Sequence, residues 1–206
     1  MSALRISVVA TGTANTASVL AGLRRAGGDP RLTEEPHDIE HAAAVVLPGV
    51  GTLGAAMSGL RALGLDDVLA RRIREGRATL AVCLGLQLMC EASDESPGDS
   101  GLGILPARVG RLTGDVRVPH MGWNLVTPAA VPGTLVEPGY AYFANSYRLQ
   151  AEPAGWHASV VDYGGTWVAA LERGAVLACQ FHPELSGSWG TALLKRWIAR
   201  AGGVPC

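Results

Sequence analysis

Cysteine is scarce in this chain. Cys83, Cys90, Cys179 and Cys206 fall at irregular spacings with no paired ligand motif, which argues against a disulfide framework or a zinc site and leaves free thiols as the expectation. Concentrated charge is missing too. Lys and Arg number 17 against 18 Asp and Glu, a net charge of −1. Neither sign forms a long block, so nothing here is built to hold nucleic acid or a membrane surface. No apolar run approaches the roughly 20 residues that span a bilayer. Met1-Ser2-Ala3-Leu4-Arg5 lacks the basic-then-apolar design of a signal peptide, so a cytoplasmic protein is expected. Internal repeats are absent, and the only segment of loose composition is 94–101, expected to be a mobile loop near the site. What the chain does have is apolar bulk. With 48% hydrophobic and 17% charged residues among 206, it can bury a full core as one domain, residues 1–206.

The first half alternates strand and helix. Residues 4–10 read as a strand, and 15–26 as a helix carrying Val19, Leu20 and Leu23 before Gly27-Gly28 stops it. Residues 43–47 form a short apolar strand bounded by Pro48-Gly49, and helical patterns over 53–63 and 65–73 lead to the strand that ends at Cys83. Continuously apolar strands separated by helices predict an α/β fold with a mostly parallel central sheet flanked by helices. Sites in such sheets lie at the carboxyl ends of strands, where both Pro48-Gly49 and Cys83 stand. From about Arg108 the pattern shifts to short strands at 116–119, 140–143, 147–149, 156–161, 167–171 and 176–181. These predict an additional antiparallel or mixed region in the C-terminal half. A closing helix over 188–201 presents Leu193, Leu194, Trp197 and Ile198 to the core.

Three motifs carry chemistry. In Ala81-Val82-Cys83-Leu84-Gly85 a thiol sits on a strand-to-helix turn, where the free N–H groups of the next helix favour its anion. Alone, such a cysteine is as a rule a small core side chain. Gln180-Phe181-His182-Pro183-Glu184 supplies what a nucleophile needs. In an extended segment His182 and Glu184, two apart, share a face, giving an imidazole to take the thiol proton and a carboxylate to orient it. Cys90, by contrast, falls on the helix after Cys83 with no base and reads as packing. The third motif, Pro48-Gly49-Val50-Gly51-Thr52-Leu53-Gly54, is a glycine-rich turn whose backbone N–H groups suit a developing oxyanion. Its glycines also spell Gly-x-Gly-x-x-Gly. No acidic residue follows at the ribose position of a next strand, and an elbow cysteine stands where a nucleotide would pass, so that reading is set aside.

Taken in order, these motifs resemble the class I glutamine amidotransferases: Pro48-Gly49-Val50-Gly51 the oxyanion strand, Cys83-Leu84-Gly85-Leu86-Gln87 the nucleophile elbow, and His182-Pro183-Glu184 the His–Glu pair. The likeness spans nearly the whole chain. Pro119-His120-Met121-Gly122-Trp123-Asn124 resembles a signature of the branch that serves histidine biosynthesis, and Tyr142-Phe143-Ala144-Asn145-Ser146-Tyr147 the segment beside the glutamine pocket. A glutaminase of the same class serving pyridoxal phosphate, anthranilate or GMP synthesis would share the triad but lack the 119–124 hexapeptide.

The resemblance implies a glutaminase without cofactor or metal. Cys83 would attack the glutamine amide, His182 would protonate the departing ammonia and then activate water, and Glu184 would orient His182. Backbone N–H groups near Gly49, Val50 or Gly51 and of Leu84 would hold the oxyanion, with Gln87, Ser146 and Tyr147 lining the glutamine site. It also implies a heterodimer with a (β/α)8-barrel cyclase subunit. The ammonia would pass to that subunit, which makes imidazole glycerol phosphate and an aminoimidazole carboxamide ribonucleotide. Asn15, Met121, Trp123 and Asn124 would face it. Several positions depart from the family pattern: Ala10 and Thr11 stand for Asp and Tyr, Ala81 for Gly, Asn145 for His, and Leu185 for Lys. A docking surface rewired to match its own partner is expected.

Overall fold

The computed structural model describes residues 3–10, 15–129 and 134–203. The loop residues Thr11 to Ala14 and Cys206 lie outside them. In chain order the elements are β1 (Arg5–Val9), α1 (Thr16–Arg25), β2 (Asp29–Thr33), α2 (Pro36–His41), β3 (Ala44–Leu47), α3 (Leu53–Ala62), α4 (Asp66–Arg74), β4 (Thr79–Val82) and α5 (Leu84–Leu88). There follow β5 (Cys90–Ser93), β6 (Leu105–Arg111), β7 (His120–Pro128), β8 (Gly139–Asn145), β9 (Tyr147–Leu149), β10 (His157–Asp162), β11 (Thr166–Arg173), β12 (Val176–Cys179), a 3-10 turn (Pro183–Leu185) and α6 (Gly187–Ala201).

Nine strands make the main sheet, in the order β2-β1-β3-β4-β12-β11-β10-β7-β8. The run from β2 to β12 is parallel and the run from β12 to β8 antiparallel, as the change of pattern along the chain predicts. Alternation sorts the apolar strands between two covers. Val8, Val46, Leu80 and Leu177 face Val19 and Leu23 of α1 and Leu194 and Trp197 of α6, while Val9, Val45 and Leu47 face Met57, Leu60 and Leu69 of α3 and α4. In the α6 stripe Leu193, Leu194 and Trp197 are buried, and Ile198 is half-buried against the same cluster. A second sheet, β5-β6-β9, packs Leu105, Val109 and Leu149 beside Ala81 and Ala178.

Several expectations need correction. Residues 116–119 form no strand; Val118-Pro119 is a cis peptide and β7 begins only at His120, running for nine residues. The helix after Cys83 lasts five residues, so Cys90 opens β5 rather than riding on that helix. It is buried there, and burial pushes its thiol up to about 12, in keeping with packing. Strand β12 stops at Cys179, two residues short of Phe181. The β2–α2 unit and the small sheet lack the long apolar runs that mark buried strands, since β2 is an edge strand with a largely polar sequence. The 94–101 loop is tied down on both sides. Gly54 N–H donates to Ser96 Oγ (3.1 Å), Arg61 Nη2 to the Ser100 carbonyl (2.9 Å), and Gly101 N–H to the Glu91 carbonyl (3.0 Å).

Two glycines separate tight packing from propensity. A Cβ on Gly85 would lie 2.1 Å from the Leu47 carbonyl oxygen, so α5 meets β3 backbone against backbone, whereas a Cβ on Gly59 in α3 would enter open space. Gly85→Ala is expected to destabilise the protein by about 1–3 kcal/mol, and Gly59→Ala to stabilise it by about 0.5–1 kcal/mol. Urea unfolding of the two variants checks both signs.

Candidate active site

The site begins with a strained residue. Cys83 has φ 54°, the positive-φ residue other than glycine among those described. Such backbone costs about 1–3 kcal/mol and persists only where its surroundings hold it. Here they do. Cys83 N–H donates to the Cys179 carbonyl (2.7 Å), and the Cys83 carbonyl accepts from the N–H groups of Leu86 (3.1 Å) and Gln87 (3.4 Å). The thiol is 8% exposed. Because β12 runs parallel beside β4, with Cys179 opposite Val82, the residues that follow β12 arrive beside Cys83.

His182 comes next, itself extended (φ −100°, ψ 95°), but the extended run ends there. Pro183–Leu185 turns as a 3-10 helix, and within that single turn Glu184 Oε1 comes within 2.9 Å of His182 Nδ1. The expected pair thus forms through a turn rather than through strand alternation. Proline suits the first position of such a turn, where no N–H is needed. Packing fixes Glu184 from behind. A Cβ on Gly22 of α1 would lie 2.7 Å from Glu184 Cβ, and Arg25 Nη2 donates to the Glu184 carbonyl (3.0 Å). Burial disfavours the charged form of His182, yet its hydrogen bonds to Cys83 and Glu184, and their charges, prevail and push its pKa up to about 10. With Nδ1 on Glu184, Nε2 is the nitrogen left for Cys83.

A pocket of about 300 Å³ opens beside Cys83. It is lined by Val50, Gly51, Leu84, Gln87, Ser146 and Tyr147, all expected there, by Ala144 and Asn145 of the segment expected beside the pocket, by Thr52 of the glycine-rich turn, and by Glu95, which the sequence does not single out. Gly49 lies just outside it, in a smaller void shared with Asn15, His182 and Glu184, and packs against Leu84, whose Cβ would be 3.0 Å from a Cβ on Gly49. Gln87 Nε2 donates to the Tyr147 carbonyl (3.2 Å) and to Gln180 Oε1 (3.0 Å). Gln180 Nε2 in turn lies 3.7 Å from Cys83 Sγ. Neither Gln180 nor Glu95 was picked out from the sequence. Gln180 precedes His182 by two residues at a strand end, the one signal that marks it. Glu95 sits in the polar 94–101 loop, and burial raises its pKa.

The residues expected to face a partner split into two sets. On β7, Met121 and Trp123 are 62% and 54% exposed and alternate with better-covered residues. They share a face with Leu125 and, across the strand pair, with Tyr140 and Tyr142. Asn124 belongs to the opposite face. Its Nδ2 donates to the Asp162 carbonyl (3.0 Å) and its Oδ1 accepts from Leu125 N–H (2.8 Å). Asn15 caps α1, its Oδ1 accepting from Ser18 N–H (3.4 Å), and also borders the void beside His182. Leu185 is 41% exposed. The apolar face reaches the 3-10 turn after His182 through the backbone. His182 N–H donates to the Tyr142 carbonyl (2.9 Å), and the Ser186 hydroxyl donates to the His182 carbonyl (2.6 Å) while accepting from Tyr142 N–H (3.0 Å).

A glycine-backed elbow cysteine, a His–Glu pair and this sheet order define a class: the chain belongs to the class-I glutamine amidotransferase family, whose model matches residues 12–201. A crystal structure of a glutamine amidotransferase shares the fold with a TM-score of 0.75 at 22% identity, covering 97% of this chain and 99% of that one. Within the class the chain belongs with the HisH subunits of imidazole glycerol phosphate synthase. It is 38% identical to the HisH subunit of Symbiobacterium thermophilum, over 94% of this chain and 92% of that protein. Against the HisH subunit of Methanothermobacter thermautotrophicus it is 40% identical, over 94% and 97%. The chloroplastic imidazole glycerol phosphate synthase hisHF of Arabidopsis thaliana is 35% identical over 94% of this chain, which spans 34% of that longer polypeptide.

The raised pKa of His182 sets a pH window. The native state binds the His182 proton more tightly than an unfolded chain, where the value is 6.5. The stabilisation is therefore complete below pH 6.5 and is lost as pH rises through about 10. The stability margin of the wild type over His182→Asn is expected to shrink across that window, measured by urea unfolding at a series of pH values. A margin independent of pH would contradict the pairing.

Proposed function

We propose that this chain hydrolyses glutamine to glutamate and ammonia, and delivers the ammonia to a cyclase subunit of imidazole glycerol phosphate synthase. The observation that carries the chemistry is the convergence of Cys83, His182 and Glu184 beside a pocket lined by Gly51, Leu84, Gln87 and Tyr147. The Cys83 thiolate attacks the side-chain amide carbon, and the carbonyl electron pair moves onto oxygen. The N–H groups of Leu84 and of Val50 or Gly51 stabilise that oxyanion, each donor worth about 3 kcal/mol. Protonated His182 gives its proton to the departing nitrogen, the C–N bond breaks and ammonia leaves a glutamyl thioester. Neutral His182 then takes a proton from water as it attacks the thioester, and glutamate departs as the C–S bond breaks. Glu184 keeps the imidazole oriented and its charge compensated throughout.

The pocket suits an amino acid. Gln87 spends its Nε2 on Tyr147 and Gln180, which leaves its Oε1 to accept from substrate. Glu95, on the pocket wall, offers a carboxylate for the α-ammonium group, and Ser146 and Tyr147 line the same pocket.

The partner reading rests on the HisH relatives and on the apolar face of β7 and β8. In the Arabidopsis relative the counterpart of this chain is about a third of one polypeptide, which fits a glutaminase held against a second unit. A (β/α)8-barrel cyclase docked over Met121 and Trp123, with Asn15 and Leu185 at the edge, would cover that face and leave ammonia no route through water. Asn124 would brace β7 from behind. Leu185 adds apolar area, so the matching partner surface would be apolar there.

Glutamate release in the presence of the cyclase and its nucleotide tests this reading. Cys83→Ala is expected to abolish it, and release that survives the substitution would overturn the mechanism. Glu95→Gln is expected to raise KM for glutamine by about 10-fold or more, the loss of one charge-assisted hydrogen bond, with kcat changed far less. An unchanged KM would remove Glu95 from the substrate site.

A further inference from the structure

The Cys83 sulfur has a second polar neighbour besides His182. Gln180 is completely buried, directly follows β12, and its backbone N–H is held by the Ala169 carbonyl (2.8 Å). Its side-chain amide could in principle point either end at the sulfur. The surrounding bonds allow only one. The Tyr147 carbonyl can only accept, so the end of Gln87 facing it must be the NH2 group (3.2 Å). That same NH2 group faces Gln180 at 3.0 Å, so Gln180 must offer its oxygen there. Its own NH2 group is therefore turned to Cys83 Sγ, 3.7 Å away. From a main-chain carbonyl on β9, through two glutamine amides, a donor is locked onto the nucleophile.

We propose that Gln180 is a catalytic residue of this site, its amide donating to the Cys83 sulfur whenever that sulfur carries negative charge. The proposal rests on the reading of Cys83 as nucleophile. Its physical content is that a buried anion without enough donors is costly, while hydrogen bonds to charged groups are the strong ones. His182 is not a fixed donor: its proton is the one that moves, to ammonia in the first half-reaction and from water in the second. The Gln180 amide does not titrate. When the tetrahedral intermediate of thioester hydrolysis collapses, the C–S electron pair returns to sulfur, and Gln180 is in place to receive the charge. Gln87 acquires a second task, since its NH2 group sets the direction of the Gln180 amide while its oxygen faces the pocket.

Alkylation of Cys83 by iodoacetamide, followed by peptide mass spectrometry across a pH series in the full chain, tests the proposal without needing turnover. Gln180→Leu keeps the volume and removes the donor; it is expected to slow labelling of Cys83 about 10-fold at pH 7, the worth of one hydrogen bond to a charged acceptor, with the gap closing as pH rises. Gln180→Glu keeps the acceptor for Gln87 but turns a carboxylate oxygen towards the sulfur, and is expected to slow labelling further. Gln87→Leu, which frees the Gln180 amide to turn over, is expected to slow it in the same direction and decides the matter if either Gln180 variant unfolds. Folded variants that label at the wild-type rate and with the wild-type pH profile would overturn the role of Gln180. A wild type in which Cys83 reacts no faster than buried Cys90 would instead overturn the nucleophile reading, so the two failures are distinct.

Discussion

The parallel pairing of β4 with β12 is the constraint on which the site depends. These strands are far apart in sequence and adjacent in the sheet, with Val82 opposite Cys179. Both end at the same edge. The residue after β4 is Cys83, forced into positive φ by the turn into α5, and the residues after β12 are Gln180, Phe181 and His182. A register shift of one residue would turn side chains to the opposite face of the sheet. The register is secured by continuous burial. Every residue of β3, β4 and β12 is buried, so a slip would misplace apolar contacts on both faces. The site is thus a consequence of core packing, and the strain at Cys83 is tolerated because the Cys179 carbonyl and the N–H groups of Leu86 and Gln87 hold that residue on both sides.

Much of this was written plainly in the sequence, and the reason is burial. Strands β1, β3, β4 and β12 are covered on both faces, by helices and, at Ala81 and Ala178, by the small sheet, and are largely apolar, so they stand out from the helices between them. Cys83 and His182 were legible as candidates because each follows such a strand's end beside glycine or proline, where only special backbone fits. What escaped notice was of another kind. The edge strand β2, the α2 turn and the small sheet of β5, β6 and β9 are short and half polar, and their pairing is set by tertiary contacts rather than by their own periodicity. The His182–Glu184 contact was foreseen for the wrong reason, since a 3-10 turn and not an extended segment brings the two together. Gln180 and Glu95 were missed because a lone glutamine or a glutamate in a polar loop carries no local signature. Their place is visible only once Tyr147, Gln87 and Cys83 are seen side by side.

The geometry also ties the outer face of the sheet to the chemistry. Strand β8 is the sheet edge, and its free side is occupied by the turn that holds His182 and Glu184. Tyr142 meets the His182 carbonyl through the Ser186 hydroxyl, and its own carbonyl takes the His182 N–H. On the exposed side Tyr142 meets Trp123 edge to face, with ring centroids 6.1 Å apart. A surface docked over Trp123 would therefore press on a strand that holds the backbone of His182. Activation by a partner would require only a small shift of β8, because the groups to be aligned are one hydrogen bond away. Glycines at Gly22 and Gly190 let α1 and α6 close on this turn, where a Cβ would meet Glu184 and the Pro183 carbonyl, and the turn has little freedom apart from that strand.

The central claim is that Cys83, and no other thiol in the chain, performs the nucleophilic step in a pocket shaped for glutamine. The most direct measurement is treatment of the protein, with its cyclase partner present, with an electrophilic glutamine analogue, followed by mass spectrometry of every cysteine-containing peptide. One adduct per chain, on Cys83, suppressed by excess glutamine, is the predicted result. Labelling spread over Cys90 and Cys179, or labelling of Cys83 that glutamine does not suppress, would contradict it.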